Sequence, residues 1–147
     1  MLVGRRVLVK GEVASPGYAL APATVLDPRR GICELEGLTG GGGDAELERA
    51  LEATGQQLRE LQDRLHQKLP EIASLIFTAH QLMLKDTQFL GRIREAMEAG
   101  ASPCEAVRAV SLAYIQMFRG SPHAYMREKA NDVEDLARRI LANLVPT

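Results

Sequence analysis

The 147-residue sequence has little of what usually announces a function. Aromatic residues make up only 4% of it, which argues against a surface built to stack bases. The formal net charge is −1, so no strong field draws the chain to nucleic acid or to an anionic membrane. No apolar run approaches the length of a membrane span, and the N-terminus lacks the apolar core of a secretory signal. Cys33 and Cys104 have no metal-ligand spacing and are expected as reduced thiols in a cytoplasmic protein. His66, His80 and His123 are the only histidines, and none has a Cys, Asp or Glu near it in sequence at ligand or triad spacing. Asp132 and Asp135 lie one helical turn apart. Lys129, Arg138 and Arg139 stand at helical spacing from them, so a salt-laced exposed face accounts for all of these residues. Residue chemistry alone offers no catalytic constellation.

What is present is helix, in a composition ordinary for a single globular domain: 46% apolar and 25% charged. Pro70 to Gly100 reads as one long helix, bent or split where Lys85-Asp86-Thr87 lets Asp86 recap it. At 100° per residue, Ile72, Leu75, Ile76, Ala79, Leu82, Met83, Leu90, Ile93 and Met97 form one stripe. Ala73, Phe77, His80 and Leu84 form a second, about 100° round the cylinder. Two apolar stripes require two neighbours: the rest of the domain, and either another helix or a partner protein that comes and goes. His80 is expected as a structural histidine, with a partner-sensitive or pH-sensitive contact as the alternative. His66 and His123 are expected in solvent.

The remaining segments frame that helix. Residues 6 to 26 carry two short extended runs around the turn signal Ser15-Pro16-Gly17, and they predict a small β-strand pair that wants a larger sheet to join. Residues 27 to 43 form a glycine-rich linker. Gly40 to Gly43 is followed by Asp44-Ala45, not by the Lys-Ser/Thr of a phosphate-binding loop. Asp44 is the expected N-cap of the first helix, whose Leu47, Leu51, Thr54, Leu58, Leu61, Leu65 and Leu69 make a seam of about three heptads. That seam fits an antiparallel hairpin with the next helix, and, as the lesser alternative, an intermolecular coiled coil. Ser102-Pro103-Cys104-Glu105 is a capping box with proline at the first helical position. It opens a helix with Val107, Val110, Tyr114, Met117 and Phe118 inward. Ser121-Pro122 opens the last helix, with Met126, Ala130, Val133, Ala137, Ile140 and Leu144 inward and Arg127, Glu128, Glu134, Asp135 and Arg138 on a charged far side. The fold class is therefore mainly α: an antiparallel bundle of four helices, the second bent or split, over residues 44 to 145, preceded by the strand pair.

Three segments in order carry a resemblance. Gly11-Glu12-Val13-Ala14-Ser15-Pro16-Gly17 resembles the G-x-x-A-S-P-G opening of phosphoenolpyruvate-utilising phosphotransferases. Ile76 to Asp86 resembles their I-F-x-x-H-x-x-(M/L)-L-x-D helix, and Tyr125 to Leu136 their Y-(L/M)-x-E-R-A-x-D-(V/L)-x-D-(I/V) helix. The family is Enzyme I of the bacterial sugar phosphotransferase system with its nitrogen-regulatory and multiphosphoryl relatives. The resemblance implies that residues 1 to 26 are the first strands of an α/β subdomain, incomplete here, and that residues 44 to 145 are the helical insertion that docks the phosphocarrier HPr. The family's phospho-accepting histidine lies in a later G-G-x-x-(S/T)-H stretch with no match here. None of the three histidines takes that role, and the chain alone is expected to be catalytically silent. No cofactor is implied for this chain, whereas Mg and phosphoenolpyruvate are implied for a separate C-terminal domain of the full-length family.

Carried over position by position, the resemblance implies a partner-binding surface at Leu75, Ile76, Ala79, Leu82, Met83 and Asp86, edged by Phe118, Tyr125 and Lys129. It turns Phe77, His80 and Leu84 toward the bundle. Ile72 and Ser74 stand where sugar-system members carry acidic residues. Lys85 to Gln88 is less acidic than usual, and Lys129 replaces an arginine, which implies a different or weaker-binding HPr-like carrier. The implied partners are that carrier and the rest of the phosphotransferase, with no nucleic acid or membrane. The rival from another class is a non-catalytic scaffold that homodimerises through the 47–69 seam. Pairing of residues 6 to 26 with another copy is a further expectation.

Overall fold

The structure, a computed structural model, describes residues 8–13, 15–22 and 42–144, with the side chains of Ile72, Ala73, Ser74 and Ile76 left outside the description. It contains five helices: α1 (Asp44–His66), α2 (Pro70–Leu84), α3 (Thr87–Glu98), α4 (Pro103–Arg119) and α5 (Ala124–Leu144). Short turns join them, and sequential helices pack against one another except α2 and α3, which meet only at their junction. The α4–α5 and α1–α2 pairs are the closest associations, and α1 also packs along α5. α3 lies on α4, while α2 rests chiefly on α1 and touches α5 only lightly.

One expectation needs correction. Residues 8–13 and 15–22 form no strand, and Leu8, Val9, Val13, Tyr18 and Leu20 are exposed. A strand pair without further strands to cover it cannot hide such side chains. Most of the linker, with Cys33, lies outside the described residues. The central helix, expected as bent or split at Lys85-Asp86-Thr87, is split into two helices.

The break has a local cause. Lys85 leaves the helical region (φ −105°, ψ 1°) and Asp86 is extended (φ −66°, ψ 119°). The Asp86 carboxylate then accepts the backbone N–H of Phe89 at 2.7 Å, an N-cap on α3. The restart changes which residues face inward. Phe89 and Ile93 are fully buried, whereas Leu75 and Leu82, which a straight helix would align with Ile93, are exposed. The expected stripe therefore splits into an inward part on α3 and an outward part on α2.

The other start and stop signals agree with the sequence to within two residues, the last helix beginning at Ala124 rather than at Ser121-Pro122. Ser102 accepts the Glu105 N–H while the Glu105 carboxylate accepts the Ser102 N–H. The Ser102 backbone N–H first and the Ser102 hydroxyl second, both acting on the Glu105 carboxylate, hold that carboxyl below its ordinary range. Gly100 takes a φ of +110° just past α3, a conformation open to glycine. Gly43 occupies the capping position of α1, and Asp44 is the first helical residue. Gly55 marks a close approach: a Cβ there would stand 3.2 Å from Leu84 Cδ2 on α2.

The core runs along the α1, α4 and α5 faces. Leu47, Leu51, Thr54 and Leu58 of the expected seam are buried in it, Leu61 and Leu65 are half-buried, and Leu69 is exposed. The seam is thus occupied within the subunit over its first half. On α5, Ala130, Val133, Ala137, Ile140 and Leu144 are buried as expected, joined by Leu136 and Leu141. On α4, Met117 points outward and Ile115 inward. A polar latch crosses the core edge. Asn143 donates to the Thr54 hydroxyl and to Gln57 Oε1, both at 3.0 Å, and accepts from Gln57 Nε2 at 3.1 Å. Thr54 donates in turn to the Ala50 carbonyl at 2.7 Å. Anchored on the buried Thr54 hydroxyl and open to solvent at Gln57, this network ties α1 to α5.

The cap on α3 supplies a test. Asp86→Ala is expected to lower stability by about 1 kcal/mol, and Asp86→Asn, which keeps an accepting oxygen, by only a few tenths. Equal losses in urea melts would show that the bond to Phe89 is not what ends α2.

Candidate functional site

α2 has one face on the bundle and one in solvent. Leu84 and His80 are buried and Phe77 is half-buried, while Leu75 is 77% exposed and Leu82 68% exposed. Ala79 and Met83 sit at intermediate depth between these faces, Met83 packing against the core. Ile76 is one of the side chains outside the description. A mid-helix leucine left in water gives up about 1.5–3 kcal/mol that burial would contribute. Two leucines two turns apart on one helix face, with a small alanine between them, present a surface another helix can approach closely.

The edge positions divide by what already holds them. Tyr125, at the start of α5, is 67% exposed. Lys129 lies over its ring, 5.1 Å from the centroid, and bonds Asp132 at 3.2 Å. Partial burial pulls the Lys129 pKa down, but its contacts with Asp132 and Tyr125 outweigh that and leave it above the usual value. Phe118 is half-buried against the core and tilts against Tyr114. Asp86 is exposed, with one oxygen engaged in the α3 cap. Met117, which sequence periodicity turned inward, is 58% exposed on α4. The open apolar surface thus consists of Leu75 and Leu82 on α2, with Tyr125 and Met117 exposed on α5 and α4.

The histidines fall as expected in burial: His66 and His123 are exposed and His80 is buried. One contact escaped the sequence. His80 Nε2 lies 3.4 Å from Asp135 Oδ2 on α5, and Arg139 Nε donates to the same carboxylate at 3.0 Å. The pair is 55 residues apart in sequence, so no spacing rule could find it. Asp135 is thus no plain member of a solvated far side. Neither is Glu134, which accepts from Arg119 of α4 at 3.1 Å and from Arg138 at 2.7 Å. Elsewhere the surface pairing matches expectation, with Lys129–Asp132 and Arg139–Asp135 both formed.

Among the described residues, no cluster of three or more His, Cys, Asp or Glu side chains could hold a metal ion. None of the described helices is long and apolar enough to cross a membrane. Among the described residues, the carboxylates of Glu134 and Asp135 line an open surface cleft with Arg119, Asn131 and Arg138, and both are engaged by basic partners. The geometry defines a helical module with an apolar helix face turned outward.

Comparison with known proteins agrees with that class. The family model for the N-terminal part of PEP-utilising enzymes matches residues 10–129, and the chain belongs to that family. The phosphoenolpyruvate-protein phosphotransferases of Streptococcus equinus and Enterococcus faecalis are 31% and 34% identical to it, over 94% of this chain and 24% of each relative. The chain thus spans about a quarter of the length of these curated relatives. The NMR solution structure of Enzyme I (nEIt) superposes with a TM-score of 0.65 at 22% identity, covering 68% of this chain and 41% of that one. At that identity the likeness is one of fold.

Asp135 supplies a pH test. The close approach of His80 is the largest influence on it; burial opposes, and Arg139 adds to the lowering, so its pKa falls to about 2 from an ordinary 3.8. A carboxyl with a depressed folded pKa contributes stability above its unfolded value and loses it as pH falls through the folded one. Asp135→Asn is therefore expected to melt below the wild type at pH 6. The difference should shrink from pH 4 downward and close near pH 2. A difference that stays constant from pH 6 to pH 2 in thermal melts would contradict an ionised, paired Asp135.

Proposed function

We propose that this chain is the carrier-docking part of a phosphoenolpyruvate-dependent protein phosphotransferase of the Enzyme I kind, and that the outer face of α2 receives an HPr-type phosphocarrier. The observation that carries the proposal is the exposure of Leu75 and Leu82, on the helix whose sequence aligns with the family's docking helix. Nothing in the core explains leucine at either position, and solvent favours neither. Ala79 between them and Met83 on the shoulder leave room for a partner helix, and the family resemblance adds exposed Tyr125 of α5 as an aromatic anchor at the edge.

In this scheme the chain does no bond chemistry. An enzyme histidine outside the described residues carries phosphate to the carrier histidine, and the docking face holds the carrier so that the two meet in line. Positioning of this type converts an encounter between two proteins into an effectively intramolecular step. The interface would be of modest size, in keeping with a partner that must leave after each transfer. His66, His80 and His123 take no part in the transfer, and magnesium and phosphoenolpyruvate act elsewhere in the full-length enzyme.

The rival scaffold, a coiled-coil homodimer through the 47–69 seam, is disfavoured by one observation. Leu47, Leu51, Thr54 and Leu58 are already buried inside the subunit.

Adding an HPr-type carrier is expected to shift the methyl signals of Leu75, Leu82 and Met83 while leaving Leu47 and Leu58 in place. Leu82→Asp, at an exposed site, should weaken binding at least about tenfold, about 1.4 kcal/mol, with an unchanged melting temperature. Carrier binding that survives both Leu75→Asp and Leu82→Asp would move the interface elsewhere. Incubation with labelled phosphoenolpyruvate should leave the chain free of phosphohistidine.

A further inference from the structure

His80 lies on the opposite side of α2 from the exposed leucines, about 140° from Leu75 and about 160° from Leu82 at helical spacing. It is 5% exposed. Its Nε2 stands 3.4 Å from Asp135 Oδ2, beyond the usual range for an N–H···O bond. A charge-assisted bond between imidazolium and carboxylate closes to about 2.7–2.9 Å. The pair therefore has room to tighten if the ring gains a proton. Its place matters because α2 touches α5 only lightly, so one tightened bond is a large share of what joins them.

We propose that His80 and Asp135 form a proton-dependent tether between α2 and α5, and that its closure sets how the outer face of α2 is presented. His80 is in this sense a positioning residue. It lies behind the docking face and acts only through the helix that carries it. Asp135 remains ionised across the whole range in which a histidine titrates, around pH 6.5. The carboxylate opposes the desolvation that would otherwise keep a buried imidazole neutral.

The charged neighbourhood is largely committed elsewhere. On α5, Arg139 shares the Asp135 carboxylate, Arg138 is held by Glu134, and Lys129 by Asp132. On α1, the Arg59 guanidinium lies over Gly55 near Leu84, and the neutral Gln62 accepts from Gln81 of α2. On α3, Arg92 stacks on Tyr114 and Arg94 pairs with Glu48 of α1. On α2 itself, the Phe77 ring is 6.4 Å from the imidazole. Arg139 is the competing cation at the carboxylate, so protonation of His80 rebalances an existing three-way contact rather than creating one.

The test follows the imidazole and the outer face together, in the full 147-residue chain, by NMR from pH 5 to pH 8.5. The methyl signals of Leu75 and Leu82 are expected to move with the same midpoint as the His80 ring. That midpoint should vanish from the methyls in His80→Gln and fall in Asp135→Asn. The tether is overturned if His80 does not titrate in this range. It is overturned equally if His80 titrates while the leucine methyls stay still, or if the methyl midpoint survives in His80→Gln. A second measurement rests on the docking function proposed above. With one HPr-type carrier, the ratio of wild-type to His80→Gln affinity should rise about threefold between pH 8 and pH 6, because a fixed α2 is preorganised for its partner. Taking the ratio cancels the carrier's own titration. Absence of carrier binding to either chain would refute the docking function and leave the tether to be decided by the methyl titration alone.

Discussion

Asp86 accepts the Phe89 backbone N–H, and that bond sets the azimuth at which the apolar stretch restarts after α2. An uninterrupted helix from Pro70 to Glu98 would carry Leu75, Leu82 and Ile93 on one side, all inside or all outside. With the break, Phe89 and Ile93 turn into the core beside α4, and Tyr114 meets Phe89 edge to face with ring centroids 5.4 Å apart. α2 is left on the flank of the bundle, covered by α1 on one side. The outward leucines are a consequence of where α3 goes. The same carboxylate stands at the end of the candidate docking face, so one residue both shapes that face and borders it.

Several features of this arrangement were legible in the sequence because they are local. The capping box at Ser102 and Glu105, the glycine stop at Gly100 and the recapping role of Asp86 depend on residues a few positions apart, and each forms. Periodicity also placed His80 and Leu84 on the bundle side once the family resemblance had chosen between the two stripes. What failed was what depends on neighbours far away in the chain. The strand pair expected in residues 6 to 26 forms no strand where those residues are described, since two short runs with no companion strands have nothing to bury against. Met117 fits the inward period of α4 but falls near the helix end, where exposed Met117 and buried Ile115 show the bundle face lying further round. The His80–Asp135 contact joins helices with two others between them in sequence, and no pattern along the chain encodes it.

Charge on α5 is arranged by the same tertiary logic. A run such as Glu128, Asp132, Glu134, Asp135, Arg138 and Arg139 reads as a solvated face, and part of it is. Yet Glu134 reaches Arg119 on α4 and Asp135 reaches His80 on α2, so the α5 charges stitch both neighbouring helices. Exposed pairs such as Lys129–Asp132 contribute little to stability alone. Contacts with one member buried, as at His80, bear more on geometry, because a buried polar group that loses its partner keeps its desolvation cost.

Residues of the candidate surface differ in how far they serve the fold. Leu75 and Leu82 are largely in solvent, so the bundle gains little from them and their side chains are available to a partner. Met83 and Phe118 pack against the core, and Asp86 caps a helix. A substitution at any of these three alters the bundle as well as the surface, and lost binding there would not by itself locate an interface. The discriminating positions are therefore the two leucines, together with Tyr125. This division also bears on the departures from the acidic pattern of sugar-system relatives. With Ile72, Ser74 and Lys85 in or beside α2 and Lys129 tied to Asp132, charge would have a smaller part in steering a carrier under the proposed docking. In that docking, shape and apolar contact at Leu75 and Leu82 would carry more of the recognition, and the encounter would be slower and depend less on salt than one guided by opposite charges.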